Sequence, residues 1–268
     1  MEQISRRLAE TLTERMRDEP IVIVQGPRTV GKSTLLADLA STHGVGVIDL
    51  DDPPILHAVA EDPGIFVRGD PPVCIDEFQK APIILDSIKA ELNRDTQPGR
   101  FVLTGSTRFD ALPRAAQSLT GRLHVIELLP FSQGELDGVR ETFLTEVMAD
   151  PSSIARGRQS QTTREEYVAR ICRGGLPLAV DRNQAERDRW FDDYLKVSLE
   201  RDLQELSSVR HERLVPALLQ RLAGQTAQVL NMAAVARDVG LTSGSAETYT
   251  RLLGDLFLIR RLEAWGRT

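Results

Sequence analysis

The junction at Gly26 limits what this chain can become more than any other feature. A short β-branched run, Ile21-Val22-Ile23-Val24, leads into Gly26-Pro27-Arg28-Thr29-Val30-Gly31-Lys32-Ser33-Thr34, and Leu35-Leu36-Ala37-Asp38-Leu39-Ala40 follows as helix-forming sequence. Successive β-branched residues fit a strand buried on both faces, as in a parallel sheet with helices on each side. The glycines let the backbone curl until several N–H groups point into one small volume, and a helix starting near Lys32 adds the positive end of its dipole there. The string satisfies G-x-x-x-x-G-K-[ST] in the strand-loop-helix setting that a phosphate-binding loop needs. In such a loop Lys32 bridges the β- and γ-phosphates of ATP, and the Ser33 hydroxyl ligates Mg2+. Only four of the 33 basic residues are lysines, so Lys32 does not reflect a lysine-rich composition.

The strand-then-helix rhythm recurs. Gly46-Val47-Ile48-Asp49-Leu50, Pro72-Val73-Cys74-Ile75-Asp76, Arg100-Phe101-Val102-Leu103-Thr104 and His124-Val125-Ile126-Glu127-Leu128 all read as strands, with helices predicted between most of them, including 81–92 and 109–119. Ahead of them, Ile4, Leu8, Leu12 and Met16 form the apolar stripe of a helix that Pro20 ends. Strands alternating with helices predict an α/β fold, a doubly wound parallel sheet of about five strands. After Pro130 the strand signals stop. Residues 133–205 read as helices, with a mobile loop predicted at 150–163 and a helix at 194–206. Helical patterns at 214–222, 232–239 and 246–253 precede Phe257-Leu258-Ile259-Arg260-Arg261-Leu262, which reads as a strand. Three helices and a strand describe a winged helix-turn-helix whose hairpin lacks its return strand. The expected division is a nucleotide-binding core at 1–150, a helical lid at 151–205 and an incomplete winged helix at 206–268.

Val73-Cys74-Ile75-Asp76-Glu77 is an apolar strand ending in two carboxylates. Beside a phosphate-binding loop, Asp76 is placed to hold the water shell of Mg2+, and Glu77 to orient or deprotonate the attacking water. Phe101-Val102-Leu103-Thr104-Gly105-Ser106-Thr107 is a buried strand that releases into hydroxyl residues. Set between the other two strands, it would bring Thr104 or Ser106 near the γ-phosphate. Leu119-Thr120-Gly121-Arg122 puts an arginine just before the fifth strand, where a finger would act in cis or on a neighbouring subunit. Gly174-Gly175-Leu176-Pro177 reads as a rigid turn, and Arg201 with Asp202 as an exposed ion pair.

Composition narrows the functional classes. The two cysteines, Cys74 and Cys172, form no CxxC pair, and His43, His57, His124 and His211 are scattered, so neither a disulfide framework nor a zinc site is expected. The charged N-terminus lacks a signal sequence and no apolar run is long enough for a bilayer, so a cytoplasmic protein is expected. The net charge of −6 divides into −9 over residues 1–150, +1 over 151–195 and +2 over 196–268. That balance gives weak support to DNA as a partner, since nucleic-acid binding proteins usually show a clear basic face.

Taken in order, Gly26-Pro27-Arg28, Gly31-Lys32-Ser33-Thr34, Ile75-Asp76-Glu77, Leu103-Thr104-Gly105-Ser106, Leu119-Thr120-Gly121-Arg122, Leu129-Pro130-Phe131-Ser132, Gly174-Gly175-Leu176-Pro177 and Arg201-Asp202-Leu203 make the chain resemble a family of bacterial and archaeal AAA-type ATPases. These carry a further C-terminal domain of unknown function with a restriction-endonuclease-like fold. The tail from Asn231 to Leu253 resembles the family's winged-helix segment. The resemblance implies a P-loop NTPase of the additional-strand, catalytic-glutamate type, with Ser106 as the sensor and Arg122 as a candidate finger. Family members continue well beyond the winged helix, whereas this sequence stops at Trp265-Gly266-Arg267-Thr268, so a truncated form is expected and no nuclease-like output is carried over. The expected function is a Mg2+-dependent ATPase acting as a nucleotide-driven switch on an unknown protein partner, with homo-oligomerisation. The alternative is an ATP-regulated DNA-binding protein, although the helix at 246–253 offers only Arg251 as a cation. A small-molecule kinase fits less well, given the adjacent Asp76-Glu77 pair.

Overall fold

Alternation along the strands decides the layers. In β1 (Ile21–Gln25) Ile21 and Ile23 fall into one apolar cluster, while Val22 and Val24 fall into another on the opposite face. β2 (Val47–Asp49), β3 (Val73–Asp76), β4 (Phe101–Gly105) and β5 (Leu123–Glu127) complete a five-stranded sheet in the order β2-β3-β4-β1-β5. Every pairing is parallel, with Ile21 opposite both Phe101 and Leu123. The computed structural model describes residues 4–109, 119, 121–152, 160–202, 212–263 and 266.

Helices cover both faces. α1 (Leu8–Met16) and α2 (Lys32–His43) bring Leu12, Met16, Leu35, Leu36 and Ala40 against Val22, Val24 and Val102. On the other side, α3 (Pro53–Glu61), the short α4 (Pro63–Phe66) and α5 (Ile84–Leu92) pack Val59, Ile84, Leu85 and Ile88 against Ile21, Ile23, Ile75, Phe101 and Leu103. The sheet is thus doubly wound, as the strand rhythm predicts. Because the strands are parallel and in register, the loops after β1, β3 and β4 leave from one edge. Their residues meet there although they are far apart in sequence.

Beyond β5 the chain is helical: α6 (Gln133–Asp137), α7 (Phe143–Ala149), α8 (Arg164–Arg173), α9 (Pro177–Val180) and α10 (Gln184–Val197), which runs into a π-type turn at Ser198–Asp202. α6, α8 and α10 each begin with a capping box, from Ser132, Thr163 and Asn183. A third cluster is built by α11 (Val215–Ala223), α12 (Met232–Val239) and α13 (Ser243–Asp255) around Val215, Leu218, Val235 and Leu253. Of the expected elements, most of the helix at 109–119, the centre of the loop at 150–163, the end of the helix at 194–206, Thr120 and most of the last four residues lie outside the described residues.

One expectation is overturned. Residues 257–262 form no strand. The chain instead closes α13 with a turn in which Leu258 N–H donates to Leu253 O (3.0 Å), Phe257 N–H donates to Gly254 O (3.0 Å) and Phe257 takes φ 60°. This satisfies the last carbonyls of the helix in the manner of a Schellman end. An apolar run becomes a strand only where a neighbouring strand takes its N–H and C=O groups, and among the described residues none pairs with 257–262.

Candidate functional site

Gly26 directly follows β1 and passes so close to the chain after β5 that an added Cβ would sit 2.3 Å from Leu128 O. Only glycine fits that approach. The loop then exposes Thr29 at φ 59°, anchors itself in the core through the fully buried Val30, and enters α2 through Gly31 at φ 98°. Gly31 provides no side-chain cap, which leaves the first-turn N–H groups of the twelve-residue α2 available to an anion. Lys32 is 4 % exposed, and its Nζ donates to Gly26 O (3.1 Å) and Pro27 O (2.9 Å). The loop is therefore closed around its own ammonium. Ser33 and Thr34 face solvent.

The two carboxylates lie at the same end of the sheet as this loop, each with its own hydroxyl partner. Asp76 Oδ1 accepts from Thr104 Oγ1 and from Glu77 N–H (3.0 Å). Glu77 takes the left-handed conformation at φ 52°, ψ 44°, which turns its side chain off the line of β3, and its Oε2 accepts from Ser106 Oγ at 3.1 Å. Of the two hydroxyls predicted near this position, Thr104 thus serves Asp76 and Ser106 serves Glu77. Two strand ends deliver all four groups because β3 and β4 are neighbours.

Arg122 does not join them. It precedes Leu123, which pairs with Ile21 at the start of β1, whereas Glu127 pairs with Gln25 at the end next to the loop. Arg122 is therefore roughly 16 Å along the strand from that edge, and its Nη1 donates to Asn93 Oδ1 at 2.7 Å. The Gly174-Gly175 turn has a packing role. Phe131 N–H donates to Gly175 O (2.8 Å), and a Cβ at Gly175 would lie 2.2 Å from Phe131 O, so the Leu129-Pro130-Phe131-Ser132 segment docks on bare backbone. Arg6 stacks over the Phe131 ring at 4.3 Å; burial lowers its guanidinium pKa and the nearby Glu135 acts in the opposite direction. Burial pushes the Cys74 thiol, within β3, up to about 11, which keeps it protonated and inert.

Two functional-looking residues carry no motif in the sequence. Gln79 donates through Nε2 to both Glu77 Oε2 and Ser106 Oγ. Its only sequence signal is an amide two positions after the carboxylate pair. Arg108 donates through Nε to Gly254 O (3.0 Å), its N–H reaches Asp255 O (3.2 Å), its Nη1 lies 3.5 Å from Glu127 Oε2, and its guanidinium covers the Phe257 ring at 4.6 Å. No spacing rule points to a contact across 146 residues.

A cavity of about 240 Å³ separates the loop from α10, lined by Arg28, Thr29, Trp190, Tyr194 and Val197, among others. The rings of Trp190 and Tyr194 stack 5.1 Å apart, and Tyr194 Oη is 3.5 Å from Arg28 O. A larger cavity of about 580 Å³ between α8 and α10 contains none of the loop or carboxylate residues. No group of three or more metal-ligating side chains occurs among the described residues. Ser33 and Asp76 offer only hard oxygen donors, the chemistry of a Mg2+ ion that keeps much of its shell as water and phosphate. The bare N-terminus of α2 and the glycine cradle of the loop likewise fit a phosphate chain. No helix among the described residues is long and apolar enough to cross a membrane.

Comparison with known protein families agrees with this geometry. Residues 18–137 match the family model described as an AAA domain, and residues 164–268 match one described as a domain of unknown function. An uncharacterised protein of Mycobacterium tuberculosis and one of Mycobacterium bovis are each 27 % identical over 266 residues, covering 97 % of this chain and 53 % of the relative. The chain spans about half the length of these curated relatives. Among solved structures, the Walker-type ATPase of Pyrococcus abyssi aligns with TM-score 0.47 and 14 % identity, covering 95 % of this chain and 90 % of that one. The RuvB Holliday junction branch migration motor of Thermotoga maritima aligns with TM-score 0.39 and 19 % identity (93 % and 87 %), and AMPPCP-bound DnaA of Aquifex aeolicus with 0.41 and 12 % (92 % and 87 %). The match falls on the stretch that carries the loop at 26–34 together with Asp76 and Glu77, and residues 18–137 are similar to an AAA domain.

Proposed function

We propose that this chain binds ATP with Mg2+, hydrolyses it, and passes its nucleotide state to the C-terminal helices as a switch acting on a protein partner. The observation that carries the switch is the short strap after β4. Ser106 meets Glu77, Arg108 holds the end of α13, and Phe109 N–H donates to the Gln25 side chain (2.9 Å) next to the loop. Three residues of the 106–109 stretch thus tie the hydrolytic carboxylate, the end of β1 and the third apolar cluster together. A movement of Ser106 with the γ-phosphate would be felt at Gly254 and Phe257.

In this reading the loop residues 26–34 cradle the phosphates, and Lys32 exchanges the Gly26 and Pro27 carbonyls for β- and γ-phosphate oxygens. Ser33 and Asp76 hold Mg2+, with Asp76 oriented by Thr104. Bound Mg2+ supplies charge neutralisation at the phosphates. Glu77 accepts the proton of the attacking water, and Ser106 senses the γ-phosphate. Residues 1–150 act as the core, 151–205 as a lid whose Tyr194 rests on the loop, and 206–268 as a helix-turn-helix unit. The two free thiols fit a cytoplasmic setting.

Replacing Arg108 tests the strap. In the parent chain a non-hydrolysable ATP analogue should slow amide exchange across 215–258; in Arg108→Ala that protection should be lost while the analogue still binds. Equal protection in both would remove the strap as the route. Arg122, held at the far edge of the sheet, is assigned to a neighbouring copy. Turnover per chain should then rise with protein concentration and stay low and flat in Arg122→Ala, and strict proportionality in the parent chain would sink the trans role. DNA binding is the weaker reading: Glu247 on the exposed side of α13 is engaged by Arg261, leaving little positive field on that helix. Salt-sensitive DNA binding would revive it.

A further inference from the structure

One neighbour of Glu77 takes no part in the steps just described. β3 ends at Asp76, and the left-handed Glu77 leads into the 3-10 turn Phe78–Lys80. This reversal brings the Gln79 amide back beside the Glu77 carboxylate. Gln79 Nε2 donates to Glu77 Oε2 and, at 3.1 Å, to Ser106 Oγ; Ser106 Oγ in turn donates to the same Oε2 at 3.1 Å. Both donors fall on one oxygen. Among the described residues Glu77 Oε1 accepts no protein hydrogen bond, nor is it a sealed unpartnered atom, so water reaches it.

Electrostatics sets the direction of the amide. Turned over, Gln79 would place its carbonyl against the carboxylate, two acceptors face to face. In the observed orientation that carbonyl oxygen is buried without a partner. It is seated over Gly105, where an added Cβ would lie 2.8 Å from Gln79 Oε1 and 2.9 Å from Phe78 Cε1. A buried amide oxygen is rarely left unsatisfied. Here the carboxylate takes the other end of the group, and the glycine leaves room for the orphaned one. Turn, glycine and hydroxyl all converge on holding Oε2.

We propose that Gln79 is a positioning residue for hydrolysis: with Ser106 it occupies Glu77 Oε2, so that Oε1 is the oxygen presented to the attacking water. This rests on Glu77 being the base. In the step it serves, Oε1 takes a proton from water, the water oxygen bonds to the terminal phosphorus, and the bond from that phosphorus to its bridging oxygen breaks with release of ADP. Gln79 neither gains nor loses a proton.

The test is steady-state ATP turnover of the full chain, with nucleotide affinity and melting temperature measured on the same samples. Gln79→Ala should lower kcat by about 10–100-fold, the effect of a misaligned reacting group, while KM and the affinity for a fluorescent ATP analogue change less than about threefold. Gln79→Glu keeps the shape but replaces a donor by an acceptor, so its kcat relative to the parent should recover as pH falls and the new carboxyl becomes able to donate. In a Glu77→Gln background Gln79→Ala should add no further loss, because both act on one group. Parent-like kcat in Gln79→Ala, loss of affinity and stability in step with kcat, or additive losses would each overturn the proposal. Should Glu77→Gln itself turn over ATP at the parent rate, the base assignment falls and the role of Gln79 with it. If Glu77→Gln is inactive but Gln79→Ala is not, only the role of Gln79 falls.

Discussion

Lys32→Ala is expected to weaken nucleotide binding by about 10²–10⁴-fold, which at ordinary assay concentrations is loss of binding. Hydrogen bonds to charged groups contribute about 1.5–3 kcal/mol each, and a lysine bridging two phosphates makes at least two of them. Lys32 is 4 % exposed, it opens α2, and its ammonium sits between the Gly26 and Pro27 carbonyls, the placement that such a bridge would need. Exchanging those carbonyls for phosphate oxygens needs a change of partners, not a rebuilt loop. The same contacts imply a modest cost in the absence of nucleotide, since the alanine variant leaves two loop carbonyls without their donor. Calorimetric titration with an ATP analogue, beside a melting curve, separates the two effects. Unchanged affinity in a folded Lys32→Ala protein would remove the phosphate role of the loop.

Glu77→Gln is expected to do the opposite: affinity for ATP within about threefold of the parent, and kcat lower by about 10²–10⁴, the usual worth of a general base. That range corresponds to about 2.7–5.5 kcal/mol of transition-state stabilisation. Binding should survive because Glu77 belongs to the β3 edge and not to the phosphate loop, and because the substitution preserves shape in a site that is 9 % exposed. Turnover should not, because an amide cannot take the proton. Phosphate release in single-turnover conditions is the direct measurement. Parent-like turnover would mean that water is activated by some other group, and Asp76, tied to Thr104 and to the Glu77 N–H, is poorly placed for it.

Much of the core was legible in advance for physical reasons. A strand buried on both faces needs nearly continuous apolar sequence, which Ile21-Val22-Ile23-Val24 and Phe101-Val102-Leu103 supply, so the five strands stood out against polar helices. The position of the 101–105 strand between the other two also follows expectation. The loop was legible because its pattern is local: glycine, lysine and serine fall within nine consecutive residues. The run at 257–262 misled because apolar composition reports burial and not pairing. Phe257 lies against Arg108, and Leu258 and Ile259 pack on the third cluster without a strand beside them.

Roles that depend on partners far away in the chain lay beyond local pattern. Thr104 and Ser106 stood as alternatives until β3 and β4 were set side by side, which gave the first to Asp76 and the second to Glu77. The in-register β5 placed Arg122 at the end of the strands opposite the 26–34 loop. Gly175 became intelligible only through the backbone of Phe131. What this sequence determined by itself was the glycine-bounded loop at Gly26 and the strands that frame it, because backbone curvature and burial are written in neighbouring residues. The tertiary structure alone decided which oxygen of Glu77 is held, by Gln79 and Ser106, and how the site reaches α13 through Arg108, because a hydrogen bond between distant residues depends on where the whole fold brings them.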